Sequence, residues 1–429
     1  MAVSEVRGQG PDGRPGTERL SQRARRVGAA YAGPGSGADV PAGEDPPIGF
    51  VAGLPDPEVL PADELTAAFA KVLATDTDPA LQYGGAQGHP ALREWLAVHW
   101  AAIDGTPGSA ARFTLTNGAA GALANIADTF LDPGDVVVVE EFSFSGSVRT
   151  LLQATPRIET VPVDGDGLDP DALADLLDRL AAAGTPAKML YTIPAYQNPT
   201  GATLAADRRR TVLDLCARHG TLIVEDEAYR EVWFGTEPPP SLYAMAGGAG
   251  VIRIGTFSKI LAPGLRLGWC QAADDVTGAL VATRTDMGTS PLVQRAVAHL
   301  ARTGFLDAHI PRLRGHYAAK SAHVVRGLAA HCAPYVTWQE PGGGFFAWLT
   351  LAAGTDPLAL AGAAREEGVT YVSGNVFAAG GDAGTTSFRG WGPGDSPHLR
   401  LAFSHVPDDE ISEGIRRLGA ALARAAGQR

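Results

Sequence analysis

Four short segments that are wholly or largely apolar restrict the folds open to this chain more than any other feature. They cover residues 136–139, 188–193, 221–224 and 251–254, and segments with helical patterns lie between several of them. Fully apolar strands are typical of parallel sheets that are buried on both faces. We therefore expect an α/β fold with a mostly parallel sheet flanked by helices. Ligands of such sheets bind beyond the carboxyl ends of the strands.

The segment 255–268 follows the last of these strands and contains one lysine among small residues. Its sequence is Gly-Thr-Phe-Ser-Lys-Ile-Leu-Ala-Pro-Gly-Leu-Arg-Leu-Gly. An amine that acts as a nucleophile must be deprotonated, so it needs surroundings that disfavour its charge. Thr256, Ser258 and Arg266 could hold a phosphate beside Lys259. The alternative is a solvated lysine at the end of a strand, because most lysines are exposed.

This segment resembles the lysine motif of the class I and II aminotransferases, which are pyridoxal-phosphate enzymes of fold type I. In that family, hydroxyl-x-Ser-Lys is followed by Pro-Gly-x-Arg-x-Gly. The resemblance implies that Lys259 forms a Schiff base with pyridoxal 5'-phosphate. It also implies that Arg266 binds the cofactor phosphate and that Thr256 and Ser258 assist. The resemblance covers about residues 48–425, with five motifs in the family's order.

Two other motifs match positions that contact the cofactor ring in this family. Asp226 and Tyr229 have the family's Asp-x-x-Tyr spacing after a predicted strand. The resemblance implies that Asp226 faces the pyridine nitrogen, where an opposite charge keeps that nitrogen protonated. It implies that Tyr229 and Asn198, from an Asn-Pro-Thr-Gly turn, bind the phenolic oxygen. Without the resemblance, the three carboxylates at 225–227 would indicate a solvated acidic turn.

Residues 113–131 have the pattern of a strand, a tight turn and a helix. Small residues at a helix start leave backbone N–H groups open to an anion, and the helix dipole favours it. By resemblance, Gly118, Ala119 and Ala120 belong to the cup for the cofactor phosphate. The family usually has a serine there, followed by glutamine or a similar residue. This chain departs from that pattern, so its cup would depend more on backbone groups and on the lysine segment.

Aromatic residues complete the expected cofactor site. Phe144 occupies the place where the family stacks an aromatic ring on the pyridine, although Phe142 is an alternative and either ring could belong to the core. Tyr83 begins a Tyr-x-x-x-x-Gly-x-Pro-x-Leu-Arg pattern. In the family this tyrosine reaches the phosphate bound by the neighbouring subunit. We therefore expect a homodimer with shared active sites.

Arg400 lies in a predicted apolar strand, 398–404, where an unpaired arginine is costly to bury. A structural ion pair would satisfy it, and so would two parallel hydrogen bonds to a substrate α-carboxylate. The resemblance implies the carboxylate. It also implies that Asn198 contacts the substrate and that Gly53 approaches it through its backbone. The segment 48–55 around Gly53 is similar to that of the aminoadipate and kynurenine branch of the family.

These expectations predict an aminotransferase that moves an amino group between an amino acid and a 2-oxo acid. An alternative keeps the cofactor but catalyses elimination, replacement, cyclisation, carbon–carbon bond formation or oxidation, because such relatives share these motifs. A third possibility is a non-catalytic regulator with an aminotransferase-like domain. The substrate side chain is not identified, although Ala52 and the loop 380–394 are expected to border its pocket. No second arginine indicates a dicarboxylate.

Composition argues against several other classes of protein. The net charge of −12 and the pI near 5.3 are unlike those of a nucleic-acid-binding protein. Three cysteines without CxxC spacing and ten scattered histidines predict neither disulfides nor a metal site. No apolar run is long enough to cross a membrane. The first 46 residues have no apolar signal segment, so we expect a cytoplasmic protein.

The expected organisation has four parts. Residues 1–46 would be a flexible tail, with a short helix near 19–27, and residues 47–80 an arm that contributes to the small domain. Residues 81–304 would form the large cofactor-binding domain. Residues 305–429 would form a long linking helix and a small α+β domain. Two local expectations are Asp63 as the N-cap of a helix over 64–73 and one helix over 274–287.

Overall fold

The computed structural model describes residues 19–30, 46–380 and 395–427. Its α-helices are α1 Gln22–Ala30, α2 Ala62–Thr75, α3 Thr77–Leu81, α4 Pro90–Asp104, α5 Gly118–Phe130, α6 Ser145–Ala154, α7 Pro170–Ala182, α8 Ala206–His219, α9 Leu242–Met245, α10 Asp274–Ala282, α11 Pro291–Arg302, α12 Phe305–His331, α13 Pro357–Glu366 and α14 Asp408–Gly427. Its strands are β1 Ile48–Gly49, β2 Phe113–Thr116, β3 Val136–Glu140, β4 Arg157–Val161, β5 Val163–Asp164, β6 Gly167–Leu168, β7 Ala187–Thr192, β8 Leu222–Asp226, β9 Val251–Thr256, β10 Gly268–Gln271, β11 Val336–Trp338, β12 Phe346–Leu351, β13 Val369–Thr370, β14 Val372–Ser373 and β15 His398–Ala402. Among these described ranges, no helix combines the length and the apolar character that a membrane span requires.

The large sheet contains seven strands in the order β2-β10-β9-β8-β7-β3-β4. The five strands from β9 to β4 are parallel, whereas β10 is antiparallel to both β9 and β2. The four apolar segments of the sequence are β3, β7, β8 and β9. Every residue of β3 is buried, as a strand covered on both faces requires. This arrangement confirms the predicted fold class, an α/β fold with a mostly parallel sheet flanked by helices.

Helices cover both faces of the large sheet. The side chains of α5 and α6 pack on one face, and those of α7 and α8 pack on the other. The start of α7 shows how the sequence sets a helix boundary. Asp169 accepts hydrogen bonds from the backbone N–H groups of Asp171 and Ala172, and Pro170 occupies the first helical position. Because helices close both faces, the carboxyl ends of the strands are left for a site.

A second sheet forms the small domain, with four antiparallel strands in the order β11-β12-β15-β14. Helices α13 and α14 pack with these strands around an apolar core. Near the other end of the chain, β1 joins this domain because it pairs in parallel with β13. The small α+β domain is therefore built from both ends of the chain. The 27-residue helix α12 leads into it from the large domain.

Two local expectations are wrong. Asp63 is not an N-cap, because α2 already begins at Ala62 and Asp63 lies in its first turn, where a negative charge still favours the helix dipole. The helix expected over 274–287 ends at Ala282. Beyond its end, Nη1 of Arg284 donates to the backbone carbonyls of Ala86 and Leu115, which ties this segment to another part of the chain.

The N-terminal arm contacts both the small domain and the helices of the large domain. Its β1 pairs with β13, but α2 packs against α11. Ala68 and Val72 of α2 are buried in the same core as the large-domain residues. Within the expected tail, the residues of α1 form a helix that packs against α6, with Val27 buried.

Candidate active site

Lys259 lies just beyond the carboxyl end of β9, where it is partly buried. Its Nζ donates a hydrogen bond to the carbonyl of Gly53 at 2.9 Å. The same atom lies 5.6 Å and 5.5 Å from the ring centroids of Tyr229 and Phe345. Desolvation, and then the positive charge of Arg400, lower the pKa of Lys259 from 10.5 to about 8. A much larger fraction of this amine is therefore neutral than for a solvated lysine, as a nucleophile or base requires.

Asp226 is the last residue of β8 and is only 5% exposed. Its Oδ2 accepts a hydrogen bond from the Tyr191 hydroxyl at 2.8 Å, and its Oδ1 accepts one from the backbone N–H of Ala228 at 3.1 Å. Burial raises the pKa of Asp226 to about 6, although the hydrogen bond from Tyr191 opposes this rise. The side chain is therefore an anion above about pH 6, and Lys259 is among the charges that act on it.

The two acidic neighbours of Asp226 have other partners. Glu225 accepts hydrogen bonds from two backbone N–H groups at the start of α9, at 2.6 Å and 2.9 Å. Glu227 lies 3.7 Å from the guanidinium of Arg230. All three carboxylates are buried, so the interpretation of residues 225–227 as a solvated acidic turn is wrong. The positive charge of Lys259 is among the influences that lower the pKa of Asp226.

Arg400 connects the small sheet to the turn that follows β7. Its Nη1 donates to Oδ1 of Asn198 at 2.9 Å, and its Nη2 donates to the carbonyl of Val51 at 2.8 Å. Its guanidinium carbon lies 4.4 Å and 4.5 Å from the ring centroids of Phe346 and Phe377. Within the described residues, no carboxylate pairs with this guanidinium, and its Nε has no hydrogen-bond partner. A buried cation of this kind is costly without an anion.

Tyr229 lies between these groups. The side chain of Asn198 is among the groups that lower the pKa of its hydroxyl, and its ring packs edge-on against Phe345 and Phe346, with centroid distances of 5.6 Å and 5.5 Å. Burial raises the pKa of this tyrosine, so the hydroxyl keeps its proton and can donate it in a hydrogen bond. One space is thus surrounded by the expected residues Gly53, Asn198, Asp226, Tyr229, Lys259 and Arg400.

The first turn of α5 forms another part of the site. Asn117 precedes the helix but does not cap it, because its side chain donates to Asp286 at 2.9 Å. The N–H groups of the first turn, which includes Ala119 and Ala120, therefore lack a side-chain cap. Gly118 has a φ of 72°, and a Cβ there would lie 2.9 Å from Nη2 of Arg266. Glycine therefore allows the guanidinium to approach the helix start.

Thr256 and Ser258 add two hydroxyl groups to the lysine segment. The Thr256 hydroxyl donates to Oγ of Ser258 at 2.8 Å and accepts from the backbone N–H of Ser258 at 3.0 Å. Arg266 follows at an exposed position with a φ of 49°. A helix N-terminus, a guanidinium and hydroxyl groups are the donors that bind phosphate in proteins.

The structure gives Phe142 and Phe144 different surroundings. Phe142 packs against Trp348 and His398, with ring centroids 5.3 Å and 5.2 Å apart. Phe144 precedes α6, and its side chain is 42% exposed. The ring of Phe144 is therefore open to a ligand, whereas that of Phe142 is occupied in packing between the two domains.

Tyr83 does not join the other expected residues within this chain. Its side chain is 82% exposed and lies beside residues 286–291. Leu81 and Met287, from the same region, are 62% and 60% exposed. Adjacent exposed apolar side chains are typical of a protein–protein interface.

The expected borders of the substrate side-chain pocket are only partly described. Ala52 lines a mainly apolar cavity of about 480 Å³, together with Val51 and residues of β13 and β14. Of the loop 380–394, only Gly380 belongs to the described residues. Ala52 directly follows Val51, whose carbonyl accepts a hydrogen bond from Arg400.

Two buried polar residues of the site were not identified from the sequence, Tyr191 and Glu140. Glu140 ends β3 and accepts hydrogen bonds from Nε2 of Gln197 at 2.8 Å and from the Thr192 hydroxyl at 2.6 Å. It thereby fixes the turn that carries Asn198, and burial raises its pKa to about 7. A signal was present in the sequence, because a polar side chain in or at the end of a buried strand must have a partner.

Comparison with known proteins identifies the family. Residues 49–418 match the family model described as aminotransferase class I and II. An aromatic-amino-acid aminotransferase from Thermococcus litoralis is 34% identical over 373 residues, which are 86% of this chain and 87% of that protein. A kynurenine aminotransferase from Pyrococcus horikoshii, solved with PMP, has a TM-score of 0.80 and 30% identity, over 89% of this chain and 91% of that one. An α-aminoadipate aminotransferase from Thermus thermophilus, solved with N-(5'-phosphopyridoxyl)-L-leucine, has a TM-score of 0.79 and 32% identity, over 95% and 98%.

The residues of the site fit pyridoxal phosphate. The uncapped start of α5 and the position that Gly118 leaves for Arg266 suit its phosphate. The buried carboxylate of Asp226 suits a protonated ring nitrogen, and the easily deprotonated amine of Lys259 suits its aldehyde. The chain belongs to the class I and II aminotransferases, and it is a pyridoxal-phosphate-dependent transaminase that moves an amino group between an amino acid and a 2-oxo acid.

Proposed function

We propose that Lys259, Asp226 and Arg400 carry the central roles in this transaminase. Lys259 bonds to the cofactor and moves the substrate proton, Asp226 faces the ring nitrogen, and Arg400 binds the substrate α-carboxylate. The observation that carries the proposal is the amine of Lys259, whose pKa is lowered to about 8. The positive charge of Arg400 lowers this pKa, and the negative charge of Asp226 raises it. These three groups supply an amine, an anion and a cation in one partly buried space.

The remaining site residues would hold the cofactor. Pyridoxal phosphate, when bound, supplies an aldehyde that condenses with amines and a protonated ring that withdraws electrons from the reacting carbon. Phe144 offers its exposed ring for stacking, and Tyr229 and Asn198 donate hydrogen bonds to the phenolic oxygen. The phosphate is held by Gly118, Ala119, Ala120, Thr256, Ser258, Arg266 and, from the neighbouring subunit, Tyr83.

The protein groups then orient the substrate and move one proton. Arg400 holds the α-carboxylate with two parallel hydrogen bonds, while Asn198 and the backbone of Gly53 border the substrate. Lys259 takes a proton at the substrate α-carbon, and positioned proton transfer of this kind typically contributes about 10²–10⁴-fold to the rate. Asp226 keeps its negative charge facing the ring throughout.

We further propose that the substrate carries an apolar or aromatic side chain. Phe377 lies beside the guanidinium of Arg400, and the rings of Trp348 and Phe142 continue the same wall, with neighbouring centroids 6.2 Å and 5.3 Å apart. Trp348 is also the cross-strand partner of Arg400. These rings favour apolar contact over a second carboxylate. The relative from Thermococcus litoralis is named for aromatic amino acids, which agrees with this choice.

An amino acid added alone should convert the bound cofactor to pyridoxamine phosphate. Transamination has two halves, so without a 2-oxo acid the enzyme must stop after the first and retain the amino group. We expect phenylalanine, tyrosine or kynurenine to change the cofactor absorbance and to release one 2-oxo acid per site. Aspartate should react more weakly. Release of ammonia with an unchanged cofactor spectrum would instead indicate elimination or oxidation, and no spectral change with any amino acid would contradict catalysis.

Arg400→Lys serves as the variant for this titration. Lysine cannot reproduce two parallel hydrogen bonds, and a charged hydrogen bond is worth about 1.5–3 kcal/mol, so about ten- to a hundredfold more amino acid should be needed. Affinity for pyridoxal phosphate should not change, because Arg266 binds the phosphate. Arg210→Lys, at an exposed position of α8, is the control. An unchanged amino-acid requirement in Arg400→Lys would assign Arg400 a structural role.

We also propose a homodimer in which Tyr83 completes the site of the other subunit. The support is the exposed apolar region around Tyr83 described above. Refolding an inactive Tyr83→Ala chain together with an inactive Lys259→Ala chain should restore activity, because each mixed dimer has one site with both native residues. With random pairing, about a quarter of all sites should be native.

The two variants refolded separately are the controls for this complementation. Native mass spectrometry would establish that mixed dimers form. If mixed dimers are present and activity does not return, Tyr83 acts within its own chain or not at all.

We also propose a four-part organisation, with residues 1–46, 47–80, 81–304 and 305–429 as its units and the arm shared between the domains.

We propose a cytoplasmic location because of the state of the cysteines. Cys216, Cys270 and Cys332 are all free thiols, as is typical of proteins from reducing compartments.

A further inference from the structure

The hydroxyl of Tyr191 lies between Ser147 and Asp226. It is 2.8 Å from Oγ of Ser147 and 2.8 Å from Oδ2 of Asp226. Tyr191 is fully buried, and Ser147 is 7% exposed. The three side chains come from three elements, α6, β7 and β8, so the contact depends on tertiary packing and not on local sequence.

The chemistry of these groups fixes the direction of the hydrogen bonds. An ionised carboxylate can only accept, and a phenol has one hydrogen to donate. The Tyr191 hydroxyl must therefore donate to Asp226 and accept from the Ser147 hydroxyl. Burial raises the pKa of Tyr191 well above its usual value, so the phenol keeps its proton over the working range of pH.

We propose that Tyr191 is a positioning residue that acts on the cofactor ring nitrogen through Asp226, with Ser147 as the donor behind it. This inference rests on the proposed role of Asp226. The Tyr191 hydroxyl occupies Oδ2 and the Ala228 N–H occupies Oδ1, so the carboxylate is held in one orientation from two sides. A carboxylate fixed in this way presents its remaining lone pairs in one direction.

The bond also stabilises the ionised form of Asp226. Among the influences on its pKa, the bond from Tyr191 is the largest that opposes desolvation, followed by the Ala228 N–H. Glu227 raises this pKa and Lys259 lowers it, and Glu140 also acts on the cluster. Without the phenol, Asp226 would more readily take up a proton, and the ring nitrogen would then lose its anionic partner.

Tyr191→Phe tests the inference, because it removes one oxygen and keeps the ring that fills the strand. We expect kcat to fall about ten- to a hundredfold, the effect of a hydrogen bond to a charged group. KM for the amino acid should not change, because Arg400 is untouched. In holoenzyme prepared with ring-¹⁵N pyridoxal phosphate, the nitrogen resonance should move towards the unprotonated pyridine position. Tyr243→Phe, whose hydroxyl interacts with Arg112, is the control and should change neither quantity.

Three further measurements keep the test decisive. Enzyme reconstituted with the carbocyclic analogue of the cofactor, which lacks the ring nitrogen, should show no rate difference between wild type and Tyr191→Phe. Ser147→Ala should produce a smaller shift of the ¹⁵N resonance in the same direction, and it replaces Tyr191→Phe if that variant does not fold.

Asp226→Asn is the reference variant for this test, and it must itself shift the ¹⁵N resonance. If Asp226→Asn shifts it and the Tyr191 and Ser147 variants do not, the inference is overturned and the role of Asp226 stands. If none shifts it, the role of Asp226 fails as well.

Discussion

Lys259→Ala is expected to lower kcat/KM by at least about 10²–10⁴-fold, the usual contribution of a positioned proton-transfer group. In the mechanism we propose, the variant loses both the amine that bonds to the cofactor and the base that moves the α-proton. Neighbouring groups offer no replacement, because the polar side chains that border the amine are a carboxylate, a high-pKa phenol and a guanidinium. Steady-state kinetics with the amino acid found in the titration would measure the loss.

Chemical labelling checks the same residue independently of activity. Borohydride fixes the link between an amine and the cofactor aldehyde, so peptide mapping of the reduced wild-type enzyme should place the label on Lys259. Lys188→Ala, at an exposed position of β7, is the matched control and should keep full activity and full labelling. A label on another lysine, or a colourless protein that cannot be reconstituted, would contradict the assignment.

Asp226→Ala is expected to reduce kcat/KM by about 10²–10³-fold, or about 2.7–4 kcal/mol, the scale of one preorganised electrostatic contact. The ring nitrogen would lose the anion that keeps it protonated. The variant also leaves the Tyr191 hydroxyl without its acceptor, so the free energy of unfolding should fall by about 1–3 kcal/mol. Kinetics and thermal unfolding measure the two effects separately.

Glu227→Gln is the control for this prediction, since it removes a neighbouring negative charge with little change in volume. It should keep most of the activity, because Glu227 lies beside Arg230. If Asp226→Ala keeps its activity and Glu227→Gln loses it, Glu227 and not Asp226 is the carboxylate that faces the ring nitrogen.

The fold could be predicted because parallel strands buried on both faces have a strong signal in the sequence. The run of valines in β3 identifies a buried strand. The turn that follows it marks the carboxyl end of that strand, which is the end of the sheet where a ligand binds. The antiparallel strand β10 has no such signal, because a four-residue strand next to the lysine segment looks the same in either direction. Its direction depends on pairing with β2, which precedes it by about 150 residues of chain.

The sequence indicates candidate site residues where a motif is contiguous, and it does not indicate them where side chains meet across elements. Lys259 and Arg266 belong to one segment, and Asp226 and Tyr229 to another, so their spacing carries the information. Tyr191 is a single tyrosine in a buried strand, and its contact with Asp226 depends on how β7 and β8 align. The choice between Phe142 and Phe144 likewise depends on the position of the small domain, whose Trp348 packs against Phe142.

The N-terminal arm has a consequence for insertions and deletions in this part of the chain. Its carbonyls at Val51, Gly53 and Leu54 accept hydrogen bonds from Arg400, Lys259 and Ser404, respectively. Most connecting segments tolerate a change in length because their backbone faces water. Here a change of one residue would turn carbonyl groups away from Lys259 and Arg400, two cations of the candidate site, at once. The number of residues between Val51 and Gly53 is therefore set by the distance between the lysine and the arginine, and not by the needs of a surface loop.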